Sequence, residues 1–161
     1  MANKLDQLVL HAPQRGTVTY ISYRTERRGE VIPADSVQIE EGKGIANDHY
    51  GKLGNRMVTI MQEEHLATVA ALCGKSNIDP KDTRRNILVK GFNLKALVGK
   101  QFSLGSEVIL KGTGDCVPCD RMEENIGPGG YQAMVGHGGI TCKVIRGGQV
   151  RIGDELAVLS E

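Results

Sequence analysis

The chain has 161 residues, 40% hydrophobic and 24% charged, with a formal net charge of +1. That length suits one domain over residues 1–161, since domains commonly run ~100–200 residues. The near-neutral charge argues against a general nucleic-acid binder, which needs a basic excess, and no apolar run approaches the ~20 residues of a membrane span. The N-terminus lacks an apolar stretch and a small-residue cleavage site, which predicts an untargeted, cytoplasmic protein. Cysteines at 73, 116, 119 and 142, in a chain neither short nor secreted in character, predict reduced thiols.

In chain order, His11 falls in a segment expected to be mobile. Residues 16–24 alternate as a strand, with Val18, Tyr20 and Ser22 on one face. A second strand over 31–39 is interrupted by Pro33, which suits an edge or a bulge. Residues 42–49 form a polar loop rich in glycine. Residues 56–61 (RMVTIM) read as a buried strand. The period then changes: Leu66, Val69 and Ala70 space helically within 62–72, with Glu63 and Glu64 in the first turn and Gly74 as a stop. Residues 85–90 are strand-like and 92–97 a short helical turn. Two strands meeting at Gly105-Ser106 predict a hairpin. Residues 116–125 predict a second helix with Pro118 in its first turn. A glycine turn at 127–130, a short helix at 131–135, and strands over 139–145, 149–152 and 155–159 complete the chain. The sum is a mainly β protein, a β-barrel with one clear α-helix and one or two short ones. Barrel closure also removes exposed edges.

Cys116 and Cys119 are the first chemical candidates. At a helix start the two thiols would share a face, and the dipole with Arg121 would favour anionic sulfur. Such sulfur serves as nucleophile, redox partner or soft-metal ligand. A structural zinc site needs four ligands, usually two such pairs, and Cys73 and Cys142 each stand alone, reading as small buried residues. A thiol–disulfide module lacks its usual βαβ context here. Asp48-His49 could orient a ligand or form a loop-stabilising turn. Arg84, Arg85 and Asn86, with Arg56, stand at strand entrances, where they could clamp an anion bidentately. His137 sits among glycines in a Gly-His-Gly-Gly turn, and His65 on the helix reads as structural.

These segments, taken in order, resemble the MOSC domain of molybdenum-cofactor sulfurases, in its small stand-alone bacterial form. The resemblance runs through 44–49 (GIANDH), 56–60 leading to Gln62-Glu63-Glu64-His65-Leu66, Arg85-Asn86-Ile87, 99–108, Cys116-Val117-Pro118-Cys119 and Ile152-Gly153-Asp154. It implies a MOSC-type β-barrel and a pterin-based molybdenum cofactor (molybdopterin). It gives Cys119 the place of molybdenum ligand and catalytic residue. It gives Arg85, Asn86 and Arg56 the pterin phosphate, and aligns Asp48 and His49 with the family's ligand loop, with Asn47 where glycine is usual. The implied activity is reduction of N-hydroxylated compounds with electrons from a separate reductase. The alternative is a carrier that passes sulfur through a Cys119 persulfide. The chain has no pyridoxal-phosphate lysine motif or desulfurase domain, so pyridoxal phosphate is not expected and the sulfur would come from a separate desulfurase.

Overall fold

Alternate residues of successive strands carry aliphatic side chains inward, and the sheet they form closes on itself. The fold is a computed structural model that describes residues 3–49 and 54–160; residues 1 and 2, at the start of the stretch read as untargeted, lie outside these. In chain order the elements are α1 (Lys4–Val9), β1 (Gly16–Tyr23), β2 (Ile32–Pro33), β3 (Ser36–Glu40), β4 (Gly44–Ile45), β5 (Val58–Gln62), α2 (Glu64–Leu72), α3 (Pro80–Thr83) and β6 (Ile87–Lys90). A 3-10 turn (Leu94–Leu97), β7 (Gln101–Leu104), β8 (Val108–Asp115), α4 (Arg121–Ile126), α5 (Gly130–Met134), β9 (Ile140–Arg146), β10 (Gly148–Arg151) and β11 (Glu155–Val158) follow. Seven strands in the order β11-β7-β8-β9-β5-β6-β1 form the barrel, and pairing of Gly16 with Leu156 and Thr17 with Glu155 closes it. β2 extends β1, and β10-β3-β4 form a separate three-stranded sheet. β5 and β6 run parallel and are joined through α2 and α3. No helix among the described residues is long and apolar enough to cross a membrane.

The strands of this barrel have two loaded faces. Ile60, Ile87 and Val89 point into the barrel with Val18, Ile21, Phe102, Leu110 and Val144. Met61 and Leu88, one residue out of phase, point outward under Val69, Met122, Ile126 and Met134 of the helices. Each fully buried aliphatic side chain contributes about 1.5–3 kcal/mol. β5 and β6 thus read as continuous apolar runs because both their faces are covered.

Several local expectations need correction. β1 does not keep one alternating face: a bulge between Val18 and Tyr20 shifts its register, so Val18 and Ile21 enter the barrel while Tyr20 packs under the helices. The strand expected over 31–39 is two strands, β2 and β3, broken after Pro33. The segment before residue 16 contains α1, started by reciprocal bonds between Asn3 and Asp6. α3 is also additional; Asp79 caps it and Pro80 opens it. The helix expected from residue 116 begins only at Arg121. Cys116 N–H still bonds along the sheet, to the Gly139 carbonyl, and Pro118 has no N–H and holds Val117 extended.

Candidate active site: an arginine cleft around Cys119

One row of paired residues crosses five strands: Ile21 faces Ile87, Ile87 faces Ile60, Ile60 faces Ile140, and Ile140 faces Asp115. The chain positions flanking that row are Ser22, Asn86 and Thr59 on one side and Cys116, which follows Asp115, on the other. Sheet register therefore gathers segments that are up to about a hundred residues apart in sequence.

Asn86 ties these segments together. Its side-chain oxygen accepts from Thr59 N–H at 3.1 Å and lies 3.2 Å from the Thr59 hydroxyl. Its amide nitrogen donates to the Ser22 carbonyl at 3.2 Å and to the Asp48 carboxylate at 3.3 Å. The other oxygen of Asp48 accepts from Arg24 N–H at 2.9 Å. The preceding residue, Asn47, has φ 68, a conformation asparagine tolerates. Asp48 does not line the cleft; it fixes the loop that delivers His49 to it. Asn86 does line the cleft, but its amide is taken up by the scaffold.

Arg85 is 6% exposed and spends three of its donors on backbone carbonyls. Nε donates to Gly138 at 2.8 Å, Nη1 to Thr83 at 3.1 Å and Nη2 to Cys116 at 3.2 Å. None of the ion pairs among the described residues includes Arg85. A guanidinium has five N–H donors, so two remain beyond these bonds. The buried charge is thus solvated by carbonyl dipoles but not neutralised by a carboxylate.

Above this scaffold opens a cleft of about 450 Å³. Arg24, Arg27, Arg28, Arg56, Arg84, Arg85 and Arg121 line it with His49, Thr59, Asn86 and residues 116–120; among the described residues Asp120 is its single carboxylate. Arg27 and Arg28 belong to the loop after β1, which Arg84 holds by donating to the Gly29 carbonyl at 3.4 Å. The sequence reading missed Arg24, Arg27 and Arg28. Their signal was three arginines in five residues at the end of a strand, but a charge run is ordinarily a solvated face. Arg56, Arg84, Arg85 and Asn86, the residues of the anion-clamp reading, line this one cleft together with His49.

The two cysteines of the pair part company. Cys116 is buried and Cys119 exposed at the cleft wall, so they do not share a helix face. Cys119 precedes α4, and its carbonyl accepts from Met122 N–H. Cys142 lies in the barrel core, where burial first and the Cys116 sulfur second push its thiol up and keep it neutral. Cys73 is half-buried beside α2. His137 lies behind the cleft, not in it: its Nδ1 is 2.9 Å from the Ala133 carbonyl, and its ring meets His65 edge-on at 5.3 Å. The glycines around it admit backbone rather than ligand, since a side chain on Gly139 would overlap the Ile60 carbonyl.

A family model for the MOSC domain matches residues 46–157. The chain belongs to the MOSC domain family. The matched MOSC segment contains Asp48, Arg56, Asn86 and Cys119 and leaves out the arginine loop after β1. Solved structures share the fold. The YuaD protein of Bacillus subtilis superposes with a TM-score of 0.83 at 22% identity, covering 92% of this chain and 97% of that one. YiiM of Escherichia coli gives 0.69 at 19% identity over 92% of this chain and 71% of that one. YiiM of Geobacillus stearothermophilus gives 0.71 at 13% identity over 90% and 75%. A search of curated proteins finds no match.

Proposed function

We propose that the cleft binds a pterin-based molybdenum cofactor, with Cys119 as the protein's sulfur ligand to the metal, and that the protein reduces N-hydroxylated compounds. The observation that carries this reading is an exposed thiol set in a cleft lined, among the described residues, by seven arginines and one carboxylate. The residues fit the group at both ends. A cysteine thiolate suits a thiophilic metal, and guanidinium forks suit a phosphate. Burying the Arg85 charge without a carboxylate costs free energy that an anionic occupant offsets. Membership of the MOSC family, which is associated with this cofactor, supports the same assignment.

When bound, the cofactor would supply two-electron redox chemistry at molybdenum, with electrons from a separate reductase. The chain's own part is positional. Cys119 ligates; Arg56 and Arg121, on opposite sides of the cysteine loop in sequence, neutralise charge on the occupant; Arg85 and Asn86 keep the walls in register. The test is metal and pterin analysis of protein made in a host with an intact cofactor pathway. Wild type should carry molybdenum in stoichiometric amount, and Cys119→Ser should lose it while keeping its fold by circular dichroism. Equal, negligible metal in both proteins overturns the reading.

The exposure of Cys119 also favours a second reading, in which it carries sulfur as a persulfide delivered by a separate desulfurase. Mass spectrometry after incubation with a desulfurase and cysteine separates the two. An added sulfur on Cys119 in metal-free protein supports the carrier, and its absence beside bound molybdenum supports the enzyme.

A further inference from the structure

A second electropositive feature lies on the flank of the barrel. Two adjoining hollows of about 400 and about 260 Å³ share Gly99, Gln101 and Lys111, making one groove along β7 to β9. Lys100, Lys111 and Lys143 line it, and no arginine or carboxylate among the described residues does. Among the described residues the cysteine cleft is the reverse, with seven arginines and no lysine. Within those residues the two cationic side chains are thus segregated by site.

Lys111 and Lys143 face each other directly across the antiparallel β8–β9 pair. Opposed side chains in such a pair interact, and like charges there are destabilising. Neither lysine, nor Lys100, takes part in any ion pair among the described residues, although Lys43 pairs with Glu40 and Lys95 with Asp115. The repulsion is therefore unrelieved within the described chain. Between the charges the walls are apolar: Val98 is 39% exposed, and Ile145 and Leu159 complete them.

We infer that this groove docks an extended acidic segment of a protein partner. Carboxylates on that segment relieve the lysine repulsion, and its aliphatic atoms lie on Val98, Ile145 and Leu159. Nucleic acid fits less well. Among the described residues no aromatic side chain lines the groove for base stacking, and no arginine fork is present for phosphate. Lysine presents a hydrated point charge, which suits long-range attraction and quick release. The groove adjoins the cleft: Asn55 lines one and Arg56 the other, and β8 runs from Lys111 at the groove to Asp115, next to Cys116. A partner seated here therefore has the Cys119 cleft beside it. The inference stands whatever occupies that cleft.

The test uses the full chain and a fluorescein-labelled deca-glutamate peptide, followed by anisotropy. Binding should weaken as salt rises, and Lys111→Glu with Lys143→Glu should weaken it about tenfold. Arg27→Gln in the cleft should leave it unchanged. Acetylation mapping should show Lys100, Lys111 and Lys143 protected by the peptide. Lys143→Glu alone should raise Tm by about 1–2 °C, because it converts a repulsive pair into an attractive one. Absence of binding overturns the inference. So does loss of binding in Arg27→Gln, which would put the peptide in the cleft. Tighter binding of a labelled deca-thymidylate through the same lysines overturns it in favour of nucleic acid.

Discussion

Nη2 of Arg85 donates to the carbonyl of Cys116 at 3.2 Å, across 31 residues of sequence. The same guanidinium holds Thr83 and Gly138, so one buried side chain clamps the turn before β6, the turn before β9 and the start of the cysteine loop. Arg85→Met removes all three bonds and leaves the carbonyls short of donors. The loss is partly offset because a buried, unneutralised charge also disappears, so the net cost should be about 2 kcal/mol. The specific readout is Cys116, which is 3% exposed in the folded chain. Iodoacetamide labelling followed by peptide mapping should show Cys116 alkylated in Arg85→Met and protected in wild type. Equal protection would mean that the bond to Arg85 does not hold the loop.

Asn86 gives a sharper case, because its amide nitrogen lies 3.3 Å from the Asp48 carboxylate. Asn86→Asp keeps the shape but replaces that donor by a second anion, which also faces the Ser22 carbonyl. The change should cost about 3 kcal/mol in urea denaturation at neutral pH. Adding Asp48→Asn should recover about half, since the new amide can donate where Asn86 formerly did. A double variant no more stable than Asn86→Asp alone would show that the two side chains are not coupled.

Much of the barrel is legible in the sequence because its strands carry strong local signals. The β5 run, the 3-10 turn and the β7–β8 hairpin stand close to where periodicity and glycine put them. What failed is what depends on distant partners. The bulge in β1 is set by its pairing with β6. Cys116 stays outside the helix with its N–H on the Gly139 carbonyl, while the Pro-Cys text alone resembles a helix start. At the site, residue types were readable but their tasks were not. Arg85 and Asn86 were expected to reach for a ligand, and the structure shows three donors of Arg85 and one of Asn86 on carbonyls, the other Asn86 donor on the Asp48 carboxylate, and two Arg85 donors left over. No local pattern announces which carbonyls from elsewhere in the chain will arrive beside a guanidinium.

Two glycines of the Gly-His-Gly-Gly turn separate backbone strain from steric exclusion. Both have positive φ, +79 at Gly136 and +86 at Gly139. A Cβ on Gly136 meets only the Lys95 Nζ, at 4.0 Å, whereas one on Gly139 would overlap the Ile60 carbonyl and strand backbone beyond it. Gly136→Ala should therefore cost about 1 kcal/mol, the left-handed strain alone. Gly139→Ala should cost more than about 4 kcal/mol or prevent folding, because backbone cannot move aside. Thermal unfolding of the two variants checks the ranking, and similar Tm values would refute the close approach.

The His65–His137 contact predicts a pH dependence of stability. Burial, and next the neighbouring His137, hold His65 below its ordinary value of 6.5, with Lys95 acting in the same direction; a backbone bond at His137 and the Glu64 charge oppose them. The unfolded chain therefore takes up the His65 proton more readily than the folded one. The neutral ring's contribution to stability is fully present above pH 6.5 and is lost as pH falls through the depressed folded value. Urea midpoints should decline between pH 7.5 and 5.5 in wild type, with a shallower decline in His65→Asn. The comparison with the variant isolates this ring from His11, His49 and His137, which both proteins share. His65 is half-buried rather than enclosed, so solvent screening keeps the difference small. The slope, not the midpoint at pH 7.5, is the discriminating quantity, because replacing the ring also changes packing against His137. Parallel slopes in the two proteins would show that the edge-on pair does not resist protonation.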